Sequence, residues 1–150
     1  MTTEALLAYA HLLAILTMVV FLASEAALCR AEWLNAAVVE RLAKVDMVYG
    51  IAAVAVFVTG LMRVFMGAKG GAYYASNPLL YVKFGLFVLI GVLSIKPTIT
   101  FIRWRRELKA SGALPAADAV RATRKLIMVQ AHILPFIPLA AVFLARGWGA

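Results

Sequence analysis

Residues 5–25 read Ala-Leu-Leu-Ala-Tyr-Ala-His-Leu-Leu-Ala-Ile-Leu-Thr-Met-Val-Val-Phe-Leu-Ala-Ser-Glu, an apolar run of membrane-crossing length that carries His11 and ends on Glu25. About 20 such residues, rising about 1.5 Å each, cross the hydrocarbon core of a bilayer as one helix. Runs of similar length recur, so that spans are expected at about 3–29, 45–66, 78–101 and 125–145. The second has an uncharged interior from Met47 to Met62, bracketed by Asp46 and Arg63. The third opens at Pro78, which suits a first helical turn after Asn77, and is interrupted by Lys83, Lys96 and Pro97.

With 150 residues, 65% of them hydrophobic, the chain is too apolar for a small soluble domain. It has room for four spans with short connections and for no separate aqueous domain. The expected fold is therefore all-α, an integral membrane four-helix bundle forming a single domain over 1–150. The first run lacks the marks of a cleaved signal: Glu4 stands where a basic n-region would, no Lys or Arg precedes Arg30, and the apolar run is long. A large residue, Leu28, precedes Cys29, which disfavours lipoprotein processing. Cys29 is the single cysteine, so no intramolecular disulfide can form and the composition is silent on redox compartment.

The formal charge of +8 has a local origin. Between Arg103 and Lys125 there are seven basic residues and two acidic ones. Lying beside a span, with no recognition fold attached, this stretch reads as a topology signal facing lipid headgroups, and nucleic-acid binding is excluded. It places the basic loop at about 102–124 in the cytoplasm and both termini outside, N-out/C-out, in a bacterial inner membrane. Ser111-Gly112 and Pro115 mark a turn between two polar helical extensions. The other polar link, 67–78, is glycine-rich and carries Tyr73 and Tyr74, suited to the membrane–water interface.

Ionisable groups at bilayer depth are costly and point to function. Counting rise per residue puts His11 about 10 Å and Lys83 about 8 Å in from the outer ends of their helices, level with Arg63. Lys69, Tyr73 and Tyr74 would stand at the mouth of that outer layer. Glu25, Asp46 and His132 fall in an inner layer edged by Arg30. His11, Met18 and Glu25 recur every seven residues and share a helix face. Pro135 and Pro138 follow His132 and should bend the last span, freeing carbonyls near Ala131 and Leu134. Simpler readings stand beside these: cross-helix hydrogen bonds for the histidines, snorkelling for Lys83, and an interfacial Glu25–Arg30 pair.

Two histidines within the membrane suggest haem b, with His11 the favoured and His132 the second candidate metal ligand. Arg63, Lys69 and Lys83 would neutralise propionates, with Tyr73 and Tyr74 nearby and Lys83 and Glu25 as candidate proton-handling groups. The two histidines are separated by about 10 Å or more along the membrane normal, which disfavours one bis-histidine iron. No close His/Met/Cys cluster points to copper, and no Walker loop, dinucleotide fingerprint, HExxH or CxxC occurs. The alternatives are a proton or small-solute path through Glu25, Asp46, His132, Lys83 and His11, or a non-catalytic membrane subunit. So small a bundle also favours a homo-oligomer in the lipid bilayer.

The stretches His11 to Glu25, Asp46-Met-Val-Tyr-Gly-Ile-Ala-Ala53, Thr59-Gly-Leu-Met-Arg63, Lys69-Gly-Gly-Ala-Tyr-Tyr74 and Lys83 through Ser94-Ile-Lys-Pro-Thr98 to Arg103-Trp-Arg-Arg106 resemble an uncharacterised family of small bacterial four-helix membrane proteins. That likeness implies an architecture and no activity. A more distant resemblance is to HemJ-type protoporphyrinogen oxidases, which have a histidine early in helix one and a lysine early in helix three, as at His11 and Lys83. It implies a tetrapyrrole site at those two residues and two-electron oxidation of a porphyrinogen. The end of the first span, Ser24-Glu-Ala-Ala-Leu-Cys-Arg30, lacks that family's Pro-Arg segment. Gln130-Ala-His-Ile-Leu-Pro135 stands where the family has an Asn-Glu-Pro type motif.

Overall fold

Inside a bilayer a backbone must satisfy its own hydrogen bonds, and a helix is the local way to do so. The computed structural model describes residues 2–66 and 70–148, with the backbone alone at 70 and 73. It is helical at Thr2–Leu28 (α1), Ala36–Met66 (α2), Gly70–Ala75 (α3), Pro78–Ser111 (α4), Ala117–Ile133 (α5) and Phe136–Ala145 (α6). A single 3-10 turn, Ala31–Trp33, joins α1 to α2, and no strand occurs among the described residues. Four columns are long and apolar enough to cross a membrane: α1, α2, α4, and α5 with α6.

The columns form a ring. α1 packs chiefly on α2, α2 on α4, α4 on both α5 and α6, and α5 closes back on α1. One end of the bundle, the terminal end, carries the start of α1, the end of α6 and α3. The other, the loop end, carries the α1–α2 and α4–α5 connections. Outward faces are apolar, as at Leu6, Leu13, Val20, Ile51, Val54, Val92 and Ile99. Only 6% of the most apolar stretch of α4 is buried by protein, so an apolar surrounding must cover the rest.

Helix ends follow local chemistry and extend past the apolar boundaries. Asn35 Oδ1 accepts from the Val38 amide at 2.9 Å, starting α2 nine residues before the apolar run begins. Asn77 caps α4, its side chain accepting from Leu79 N–H, with Pro78 in the first turn. Asn77 Nδ2 also donates to the Trp148 carbonyl at 2.9 Å, tying the end of the chain to the start of α4. α4 continues through Pro97 to Ser111 and stops at Gly112, whose φ of 71° is left-handed and whose N–H reaches the Leu108 carbonyl. At 34 residues α4 is about 50 Å long, well beyond a hydrocarbon core of about 30 Å.

The overhang at the loop end is a small core of its own. Val39, Leu42, Phe101, Trp104, Val120 and Cys29 are all buried there, and Phe101 meets Trp104 edge-on at 5.6 Å. Arg105 Nε binds Glu40 Oε2 at 2.8 Å across its surface.

The last column breaks where the prolines require. Pro135 and Pro138 have no N–H, so the Ala131 and Leu134 carbonyls lose their helical donors. Leu134 O accepts instead from Ile137 N–H at 3.1 Å, and a turn at Leu134-Pro135 separates α5 from α6. Beyond the break α6 leans on α4 and stands off α1, whereas α5 packs against α1.

Candidate functional site

The gap left between α1 and α6 is a cavity of about 640 Å3 at the terminal end. Its walls are apolar side chains of α1, α2, α4 and the α5–α6 column, and only His11, Arg63 and Lys83 are polar. On one side Phe57 meets Phe84 edge-on at 5.5 Å and stacks on Phe87 at 6.1 Å, giving an aromatic wall. The structure thus gathers the three residues that depth counting had placed in one layer.

His11 is 5% exposed, and its orientation is set by α2. Nδ1 lies 2.8 Å from Thr59 Oγ1. The Thr59 hydroxyl has one proton, and it goes to the Ala55 carbonyl at 2.6 Å. Thr59 therefore accepts, His11 Nδ1–H donates, and Nε2 keeps its lone pair. Among the described residues Nε2 has no hydrogen-bond partner. Gly60 lets the ring lie against α2: a Cβ there would stand 3.3 Å from His11 Cε1.

Lys83 from α4 and Arg63 from the end of α2 lie within electrostatic reach of the imidazole and of each other. No Asp or Glu lines the cavity, and among the described residues neither cation has a salt bridge. Two uncompensated cations at an apolar cavity suit an anionic, largely apolar ligand. Met18 and Leu22 form the floor towards the loop end.

Other expected residues fall elsewhere. The structure does not bring His132 to His11. Its buried neighbours on the last column, Thr123, Ile127, Gln130 and Leu134, follow the three–four spacing of a packed helix face, and 132 is off that stripe. His132 is exposed and its Nδ1 contacts the Met128 carbonyl of its own helix at 2.6 Å. Arg30 is exposed and stacks over Trp33 at 4.9 Å, so the possible Glu25–Arg30 pair is not made. Tyr74 lies on α3, half-buried. Lys69 and the Tyr73 side chain lie outside the described residues.

Glu25 and Asp46 are both buried, at 1% and 5% exposure, beyond the cavity floor. Asp46 Oδ1 accepts from Thr98 Oγ1 at 2.9 Å, and Tyr49 OH donates to Gln130 Oε1 at 3.2 Å. Thr59, Tyr49, Thr98 and Gln130 were not singled out by sequence reasoning. Each is a polar residue within or beside an apolar span, and that signal was readable. Which partner each would meet was not, since the Thr59 and Thr98 contacts join residues 48 and 52 positions apart. No group of three or more His, Cys, Asp or Glu able to hold a metal occurs among the described residues.

Compared with known proteins, the chain matches the family described as predicted membrane protein (DUF2214) over residues 3–149 and belongs to that family. No curated protein and no solved structure is detectably similar to it. The likeness to HemJ-type oxidases is therefore carried by His11 and Lys83 alone.

Proposed function

We propose that this membrane protein binds a tetrapyrrole, haem b or a porphyrin related to it, in the cavity between α1 and α6. One observation carries the reading: an apolar cavity with an aromatic wall presents a single oriented imidazole and two cations that have no counter-ion among the described residues. Its volume lies within the range of about 300–1,000 Å3 usual for small-molecule and cofactor sites.

The donor set fits such a group. Ligands that hold a metal through an imidazole usually fix its other nitrogen with a hydrogen bond, as Thr59 does for His11. Arg63 and Lys83 would pair with the propionate carboxylates, and Lys83 would pass protons at the cavity mouth. The Phe57, Phe84 and Phe87 wall would pack on the ring and exclude water. Haem iron, once bound, supplies one-electron redox chemistry, and with it oxidation of a porphyrinogen or electron transfer in the membrane. This reading needs only one protein ligand, and His132 is not among the residues that line the cavity.

In this proposal the protein sits in a bacterial inner membrane with the basic loop in the cytoplasm and the cavity towards the outer leaflet. The outward face of α4, with so little of it covered by protein, is the surface for a homo-oligomer.

The test is an absorption spectrum of protein purified from haem-replete cells, oxidised and reduced. A Soret band should appear, vanish in His11→Ala and persist in His132→Ala. A wild-type protein with no Soret band and no porphyrin fluorescence would remove the proposal.

A further inference from the structure

The buried carboxyls beyond the cavity floor form a second site, and the argument for it does not depend on any tetrapyrrole. Glu25 follows Leu22 by one helical turn, and Gln130 precedes Ala131 of the cavity lining, so this cluster lies directly beyond the floor. Glu25 is 1% exposed and its Oε1 is the one buried side-chain polar atom without a hydrogen-bond partner among the described residues. Asp46 and Tyr49 of α2 are within its electrostatic reach. Among the described residues no cation forms a salt bridge with either carboxyl. The salt bridges among the described residues are Arg105–Glu40 and Arg121–Asp118, and Arg124, which enters this region from α5, donates to the Ala26 carbonyl.

Asp46 differs from Glu25 in one respect. With Thr98, Met47, Gly50, Ile51 and Val54 it lines a second, open pocket of about 410 Å3 between α2 and α4. One carboxyl of the pair thus borders an opening and the other is enclosed behind it.

We propose that Glu25 and Asp46 form a proton-exchange site, in which Asp46 takes a proton from the α2–α4 pocket and passes it to Glu25 Oε1. In the first step hydronium protonates the Asp46 carboxylate and leaves water. In the second, that O–H gives its proton to a bridging water molecule as the water gives one of its own to Glu25, and reversal returns it. Thr98 holds Asp46 by its other interaction, and the Tyr49–Gln130 hydrogen bond closes the side of the cluster facing α5. A proton suits the cluster better than a metal cation. The Thr98 hydroxyl and Gln130 Oε1 are already engaged, and a hard cation would need more free oxygens than the two carboxyls offer. The groups around the pair are Cys29 beyond the end of α1, Asp46 and Tyr49 from α2, neutral Thr98 from α4, and Arg124 and Gln130 from α5.

The test uses the full chain in lipid vesicles and N,N′-dicyclohexylcarbodiimide, which modifies protonated carboxyls in apolar surroundings, with the adduct mapped by mass spectrometry. Glu25 should be labelled, less so as pH rises, equally with and without Na+, and not at all in Glu25→Gln. Asp46→Asn leaves Glu25 in place and should move the pH at which its labelling is half-maximal. An unlabelled Glu25 in folded wild-type protein overturns the proposal. So does protection by Na+, which would assign a metal cation, or an unchanged pH profile in Asp46→Asn. None of these outcomes depends on whether the cavity holds a tetrapyrrole.

Discussion

Replacing Thr59 by Val tests the orientation of His11 without touching the histidine. The substitution keeps the β-branch and removes the hydroxyl that accepts from Nδ1 at 2.8 Å. A buried donor left without its acceptor costs about 1–3 kcal/mol. The imidazole can escape that cost by moving its proton from Nδ1 to Nε2. The preference for the Nδ1–H tautomer should therefore fall by about 5- to 150-fold, at about 1.4 kcal/mol per factor of ten. The assay is nitrogen NMR on protein carrying 15N-histidine, with His132→Gln used to assign the two rings. Wild-type His11 should show a protonated Nδ1 and an unprotonated Nε2, the pattern should shift towards the reverse in Thr59→Val, and Thr59→Ser should restore it. Loss of the group that hydrogen-bonds a metal-binding imidazole typically lowers metal affinity by about 10- to 100-fold, so any Soret band should weaken in parallel. An unprotonated Nδ1 in the wild type, or identical spectra in Thr59→Val, would refute the reasoning, because Thr59 would then be donating to the ring and not to Ala55.

Gly60→Ala should separate fold from function: the helix gains up to about 1 kcal/mol of propensity, while the new methyl, 3.3 Å from His11 Cε1, pushes the ring aside, so thermal stability should hold as ligand occupancy falls. Asn77→Ala removes both the α4 cap and the bond to the Trp148 carbonyl, about 1 kcal/mol each, and should lower the melting temperature in detergent; Asn77→Asp, which keeps the cap, should recover part of the loss. Burial pushes the Cys29 thiol from its usual value of 9.0 up to about 12, against the opposing pull of Arg124. Between those values the folded chain holds a proton that the unfolded chain has lost, so stability should fall as pH rises through this window. Maleimide should accordingly leave Cys29 unmodified in the folded protein at neutral pH and label it on denaturation.

Much of the architecture was readable because lipid imposes a length. A span needs about 20 apolar residues whatever its neighbours are, so four columns could be counted from the runs themselves. Their true ends were harder to read. α2 begins at Ala36 and α4 ends at Ser111, well outside the apolar runs, because caps and loop-end packing govern them. The site was legible in one layer and not in the other. His11, Arg63 and Lys83 could be matched by depth, since rise per residue is constant along a helix. Matching by depth also grouped His132 with Glu25 and Asp46, but depth says nothing about rotation, and His132 faces away from them.

Span length and helical rise are local properties, so the apolar runs alone establish a membrane helix bundle, which residues are ionisable within it, and at what height each stands. Which of them meet was decided only by the tertiary structure. The α5–α6 break, where Pro135 and Pro138 remove the helical donors of two carbonyls, swings α6 onto α4 and opens the cavity beside His11. The ring order then brings Thr59 to one side of that imidazole and sets Glu25 within electrostatic reach of Asp46, neither having a salt bridge among the described residues. Both results depend on how helices rotate and lean against one another, and no single helix carries that information.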